Sequence, residues 1–349
     1  MRSLDKNIEK VFELLEEMMY ETKFEDVDIA RSRAYVVKNT LRQSVLNDPS
    51  QYLESIIKSQ NDSDFLYDYY VDGPEYLKFL DSVVNMSDEE IKTLLTEGRE
   101  LLLSLYNRSG LVCEIISNYD TMRTVKSKII ELSYDFNDER IQKVDYSENL
   151  VPLKNKIAVI CNGTVQYNYV SIPMQKNEIE YSSKYKVLGS VIDNEILYPE
   201  FRAKRSVYGS YSTFDRIHSC LYTYRDPNLK ESYDVFKTVP KLLKELKISS
   251  DDFEDYKLNA YATFSYPLTK FDAARIAIEE TLTKTKVKRP DRYVGYMRDI
   301  KNFSMDDLKE TYEIIDKMAE EGKYLPAGSR DLIESNKDMF DEIIYDYVQ

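Results

Sequence analysis

The stretch Ile157-Ala-Val-Ile-Cys-Asn-Gly-Thr-Val-Gln-Tyr-Asn-Tyr-Val-Ser-Ile172 decides the fold class. Two apolar runs, 157–161 and 165–172, flank Asn162-Gly163. That dipeptide signals a two-residue hairpin, because both turn residues must take positive φ. Strands therefore begin here, whereas the chain before this point reads as helix after helix. Leu4, Ile8, Val11, Phe12 and Leu15 share a face, with Ser3 as the expected N-cap. Val27, Ala30, Ala34, Val37, Leu41 and Val45 form a second stripe. Asp72-Gly73-Pro74 breaks two short helices. Ser87-Asp88-Glu89-Glu90 is a capping box ahead of Ile91, Leu94, Leu95, Leu102 and Leu105. In this part only residues 111–117, an apolar run after Gly110, predict a strand; 119–135 returns to helix.

Beyond the opening pair of strands, Tyr185, Leu188, Ile192 and Ile196 mark a helix. Pro199 interrupts it, so a second short helix is expected to start there and end near Arg202. Residues 207–214 and 217–224 are the next strands, joined across Asp215-Arg216. Asp226-Pro227 predicts an N-cap followed by proline at the first helical position. Val235, Val239, Leu242 and Leu246 line the helix after it. Helices follow over 250–264, 269–285 and 304–320, then a strand at 323–327 and a C-terminal helix. Residues 136–155 are polar, lack a period and include Pro152. The expected division is a helix-rich 1–145 and a second domain, 146–349. The fold class is α+β: two αβ domains, with an antiparallel sheet covered on one face by helices.

Charge and composition exclude several functions. Acidic residues number 62 against 48 basic ones, a formal charge of −14. Nucleic acid and anionic membranes are disfavoured as partners. Cys113, Cys161 and Cys220 sit among apolar neighbours and read as reduced core thiols. Residues 4–21 are studded with glutamates and have no apolar h-region, and no run approaches the roughly 20 apolar residues of a membrane span. Together with the free thiols this predicts a cytoplasmic location. A catalytic zinc normally needs two histidines or closely spaced cysteines, and His218 is the one histidine. His218 and Cys220 share a strand face, but two ligands do not make a site, so His218 reads as a hydrogen-bonded strand histidine. No metal or cofactor is expected in this chain. The tyrosines, Tyr67, Tyr69 and Tyr70 among them, read as amphipathic packing. Asp251-Asp252 and Asp306-Asp307 complement helix dipoles in first turns.

The segment Leu197-Tyr-Pro-Glu-Phe-Arg-Ala-Lys-Arg-Ser-Val-Tyr-Gly-Ser-Tyr211 places the guanidinium of Arg202 at a helix end and the phenol of Tyr208 at the start of a strand. A short connection can aim both donors at one acceptor, as oxyanion stabilisation requires. Spacing alone leaves surface and packing roles open for both.

These residues, with Thr223-Tyr-Arg-Asp-Pro-Asn228, resemble the C-terminal half of the pitrilysin/insulinase-type zinc metallopeptidases, in the presequence-protease branch. Residues 21–26 resemble that family's helix–turn–helix linker, Gln166-Tyr-Asn-Tyr-Val170 its Val-Asn-Tyr-Val strand, and Gly328-Ser-Arg330 with Phe340-Asp341 its C-terminal strand and helix. Arg205-Ser206 stands where the family often has Gly-Gly, and Pro199 is unusual at its position. The resemblance implies two similar halves that enclose an unstructured peptide. The N-terminal half carries zinc on an H-x-x-E-H motif and is the expected partner. Arg202 and Tyr208 occupy the positions whose side chains reach the scissile carbonyl, and zinc belongs to the complete enzyme. It also implies sheet strands ahead of the residues matching Met1, which this chain is expected to lack. The rival expectation is a non-catalytic structural or peptide-binding subunit of the same superfamily.

Overall fold

A computed structural model describes residues 3–61, 65–140, 153–161, 163–174, 177–284, 286 and 288–345. The expected linker centre with Pro152, and Asn162 of the expected turn, lie outside the described residues. In chain order the helices are α1 (Ile8–Glu16), α2 (Val27–Asn47), α3 (Ser50–Asn61), α4 (Leu66–Asp72), α5 (Pro74–Asn85), α6 (Asp88–Leu105) and α7 (Tyr119–Leu132). Then come β1 (Ile157–Ile160), β2 (Gln166–Pro173), α8 (Lys184–Ile192), a π-helix over Asp193–Ala203, β3 (Gly209–Phe214) and β4 (His218–Asp226). The rest is α9 (Lys230–Glu245), α10 (Ser250–Phe264), α11 (Lys270–Leu282), α12 (Arg289–Asn302), α13 (Glu313–Glu321), β5 (Lys323–Gly328), α14 (Arg330–Ser335) and β6 (Glu342–Ile344).

Two compact units share the chain. One comprises Met1–Val36, Asp81–Asp145 and Pro267–Lys288; the other comprises Val37–Leu80, Tyr146–Tyr266 and Arg289–Gln349. The division thus crosses at 145/146 but also exchanges 37–80 and 267–288. The reason for the first exchange is apolar: Leu53, Ile56 and Ile57 of α3 are buried against Ile157, Val159, Tyr169 and Leu325 of the sheet.

In the first unit, Ser87 caps α6 in a reciprocal box with Glu90, as its sequence requires. Ser3 does not cap: a 3-10 turn over Asp5–Asn7 precedes α1 and has no side-chain cap. Phe12, Leu132 and Phe136 centre a small core. The strand expected over 111–117 is not formed. A strand needs a neighbour, and among the described residues of this unit no strand offers one. The segment instead lines an apolar cleft of about 730 Å³ beside α1 and α7.

In the second unit the sheet order is β3-β4-β2-β5-β1-β6. β2 is antiparallel to β4 and β5, whereas β1 runs parallel to β5 and β6. Two expectations are corrected. β1 and β2 are not a hairpin, because β5 lies between them, and the sheet is mixed rather than antiparallel. Helices also cover both faces. α8, α9, α10, α12, α13 and the π-helix bury one face. α3 and α4 lie on the other. β6 and α12 were not expected from the sequence. Pro199 does not break the helix but sits inside the π-helix. Ile196, Leu197 and Phe201 of the π-helix continue the buried face of Val187, Leu188, Val191 and Ile192. Among the described residues no helix is long and apolar enough to cross a membrane.

Gly328 closes the centre of the sheet. Its φ is +153°, and a Cβ there would stand 2.2 Å from the Val165 carbonyl oxygen and 2.6 Å from Gln166 Oε1. Its own carbonyl accepts from Cys161 N at 2.8 Å. Gly328→Ala must therefore distort β5 against β2, at a cost of about 3 kcal/mol or more. Urea denaturation should show a lower midpoint with an unchanged slope.

Candidate functional site

The π-helix delivers Arg202 to its last turn, and a short loop leads to Tyr208 at the start of β3. Ser206 in this loop takes φ +58°. That left-handed conformation favours glycine. Val207 is fully buried and donates its N–H to Phe201 O at 3.1 Å. The loop is thereby folded back on the helix end.

Arg202 and Tyr208 come together. The guanidinium carbon lies 5.2 Å from the Tyr208 ring centre. Arg202 Nη1 also donates to the carbonyl oxygens of Val207 (3.2 Å) and Tyr208 (2.9 Å). Arg202 therefore clamps the loop as well as flanking the phenol. Tyr208 is 60% exposed. Glu200 holds Arg205 through Nη1 at 3.0 Å and pairs with Lys204, so neither neighbouring cation competes for Tyr208.

Tyr208 stands at the rim of a groove of about 400 Å³. One wall is α3, with Ser50, Gln51 and Glu54; the floor is the sheet face carrying Tyr169, Tyr211, Tyr222 and Tyr224. Cross-strand pairing builds this floor. Tyr169 opposes Tyr222, and Tyr222 opposes Tyr211. The first pair stacks at 4.9 Å with rings 3° apart. This floor was missed from the sequence, although the period-two placement of Tyr167/Tyr169 and Tyr222/Tyr224 carried the signal. The tyrosines expected only to pack divide accordingly: Tyr69 is buried against Tyr70, and Tyr67 is exposed.

His218 and Cys220 also face the groove floor, both buried. Burial pushes the His218 pKa down, against the opposing pull of Asp215. Asp215 Oδ2 lies 3.4 Å from His218 Nδ1, yet Nδ1 has no hydrogen-bond partner. The strand histidine is therefore not hydrogen-bonded through that nitrogen. Burial likewise raises the Cys220 thiol pKa. Among the described residues no three of His, Cys, Asp and Glu gather closely enough to share a metal ion. The donor set does not fit a zinc site.

Asp226 was expected to cap a helix, but α9 begins only at Lys230 and Leu229 is its N-cap. Asp226 is instead fully buried. It accepts from Asn168 Nδ2 (3.0 Å), Asn228 N (2.8 Å), Asn228 Nδ2 (3.1 Å) and Ser232 Oγ (2.6 Å). Asn228 Nδ2 reaches the Arg205 carbonyl at 3.4 Å, tying this network to the Tyr208 loop.

With this geometry in place, comparison with known proteins is informative. Residues 158–325 match the family described as the PreP C-terminal domain. Protein HypA of Clostridium perfringens is 21% identical over 344 residues, covering 98% of this chain and 34% of its own length. The mitochondrial presequence protease of Yarrowia lipolytica is 22% identical over 278 residues, covering 76% and 27%. The resemblance is to the C-terminal half of a pitrilysin-type peptidase, in the presequence-protease branch. Among solved structures, pitrilysin superposes with a TM-score of 0.56 at 15% identity, over 92% of this chain and 33% of its own. A conserved protein from Enterococcus faecalis gives 0.55 at 12%, over 95% and 76%. These two likenesses show the α+β fold. The chain spans about a quarter to a third of the length of HypA and the presequence protease.

One titratable group packed against β3 gives a pH test. Burial pushes the Asp193 carboxyl from its ordinary 3.8 up to about 7, against hydrogen bonding from Ser212 of β3. The folded chain thus keeps a proton that the unfolded chain releases. The resulting loss of stability is absent below the ordinary value, grows as pH rises, and is complete above the raised one. Asp193→Asn should raise Tm over wild type at about pH 8, and the gap should close as pH falls toward about 4. Thermal scans across that range check it.

Proposed function

We propose that this chain is the C-terminal, non-zinc part of a zinc metalloendopeptidase that encloses unstructured peptides. In this reading Arg202 and Tyr208 contact the carbonyl of the scissile bond, or the oxyanion formed from it. The observation that carries the reading is the exposed Tyr208 held beside Arg202 at the rim of an aromatic groove, within a segment resembling the presequence-protease C-terminal domain. A phenol with its ring exposed and its backbone fixed on both sides is preorganised to donate one hydrogen bond at little reorganisation cost. The remaining donors of the Arg202 fork can add charge to the same acceptor.

Metal chemistry would come from a zinc-bearing half, in the same polypeptide or a separate subunit; among the described residues no three of His, Cys, Asp and Glu gather to hold the ion. The chain by itself is thus expected to show no chelator-sensitive peptidase activity. A second reading, a peptide-binding subunit without catalytic duty, draws on the engagement of Arg202 Nη1 with two backbone carbonyls.

Turnover separates the two. In the chain combined with its zinc-bearing half, Tyr208→Phe removes one hydroxyl and keeps the ring. If Tyr208 acts on transition-state charge, kcat should fall about 10²–10³-fold with KM and Tm little changed. Arg202→Ala should lower kcat and also Tm, because it frees the loop. Near-normal turnover for Tyr208→Phe at unchanged Tm would leave only the peptide-binding reading.

A further inference from the structure

We propose that Arg225 is a third substrate-contact residue, donating its guanidinium to a backbone carbonyl of the peptide that Tyr208 holds. This rests on the peptide-contact reading above and extends its site by one residue.

The argument begins with a backbone irregularity. Gln166 pairs with Asp226 and Asn168 pairs with Thr223. Two residues of β4, Tyr224 and Arg225, therefore stand opposite one of β2, Tyr167. That is a β-bulge, a device that re-aims side chains and recurs beside active sites. Arg225 takes φ +51° in it. For a residue with a Cβ the left-handed region is unfavourable, whereas glycine would occupy it freely. Ser206, at φ +58°, is strained in the same way on the facing loop. Both flank Tyr208, whose N–H donates to the Arg225 carbonyl at 3.4 Å.

The strain is over-determined by its surroundings. Asp226, the next residue, is locked by the four hydrogen bonds described above. Backbone geometry alone thus calls for glycine at 225, and the side chain must account for arginine. That side chain is exposed. Its guanidinium carbon lies 5.9 Å from the Tyr208 ring centre and 5.4 Å from that of Tyr224, beside the Tyr167 hydroxyl. Arg202 has committed Nη1 to the loop's own carbonyls, whereas Arg225 meets the Tyr167 hydroxyl, one acceptor for a guanidinium with five N–H donors. An extended peptide presents carbonyls on one side every second residue, roughly 7 Å apart.

Strained residues kept for function give a signature opposite to that of structural ones. Arg225→Gly relieves the backbone and removes the guanidinium. Arg225→Lys keeps charge and strain and removes the planar fork. Binding of a fluorescein-labelled unstructured decapeptide to the full chain is followed by anisotropy, alongside Tm. Arg225→Gly should bind at least fivefold more weakly at an equal or higher Tm, with Arg225→Lys intermediate in affinity. Unchanged affinity in Arg225→Gly overturns the proposal, and so does lost affinity accompanied by a lower Tm, the mark of a structural residue. Wild-type chain that leaves the peptide free overturns the peptide-contact reading, and Arg225's part with it. Wild-type binding with indifferent Arg225 variants overturns Arg225 alone.

Discussion

A buried carboxylate governs the geometry around Tyr208. Asp226 is fully excluded from solvent, and a polar group buried there is costly unless it is hydrogen-bonded. Asn168, Asn228 and Ser232 meet that demand from three elements: strand β2, the turn after β4, and the first turn of α9. Satisfying one side chain therefore fixes how a strand, a turn and a helix meet. The β4 bulge, the strained backbone at Arg225 and the tie to the Arg205 carbonyl all lie within a few residues of it. An apolar residue at 226 would take the acceptor from Ser232 and one of three from Asn168, so the network stands as a unit.

Much of the fold could be read locally. The capping box at Ser87, the alternation over β3 and β4, and the β5 run all depend on neighbours a few residues away. What could not be read depends on distant chain. Nothing in residues 157–172 says that β5, about 150 residues on, will separate β1 from β2. The Asn162-Gly163 signal weighs local turn energetics alone, whereas insertion of β5 buries two further ladders of hydrogen bonds. α3 is similar: its stripe announces an apolar face without naming the sheet as its target. The π-helix lies between these cases. Its apolar face through Ile192 and Ile196 was visible in the sequence, but a proline ordinarily ends an α-helical pattern and dominated the expectation.

The site divides in the same manner. Arg202 and Tyr208 were legible as a donor pair on a short connection, and the structure brings them within contact. The groove floor required strand register, which a single sequence does not give: Tyr211, Tyr222 and Tyr169 line up only once three strands are aligned. Arg225 required more still. A β-bulge leaves no composition signal when the bulged residue is not glycine, so the motif Tyr224–Asn228 read as a strand end and a helix cap. The expected cap and the observed buried network use the same aspartate. They differ only in whether the helix begins at Pro227 or three residues later.

Those three residues matter chemically. Had α9 begun at Pro227, the Asp226 carboxylate would have faced the helix's first N–H groups at the surface, as capping residues do. Beginning at Lys230 leaves 227–229 as a connecting turn and lets Asp226 point inward to Asn168. The inward carboxylate then holds Asn228, whose side chain reaches Arg205 on the loop before β3. Two loops far apart in sequence are joined through a single amide. On one side of that join the guanidinium of Arg202 is clamped to Tyr208; on the other, Arg225 is strained beside it. The placing of the exposed phenol between two cations is thus a consequence of where a helix starts.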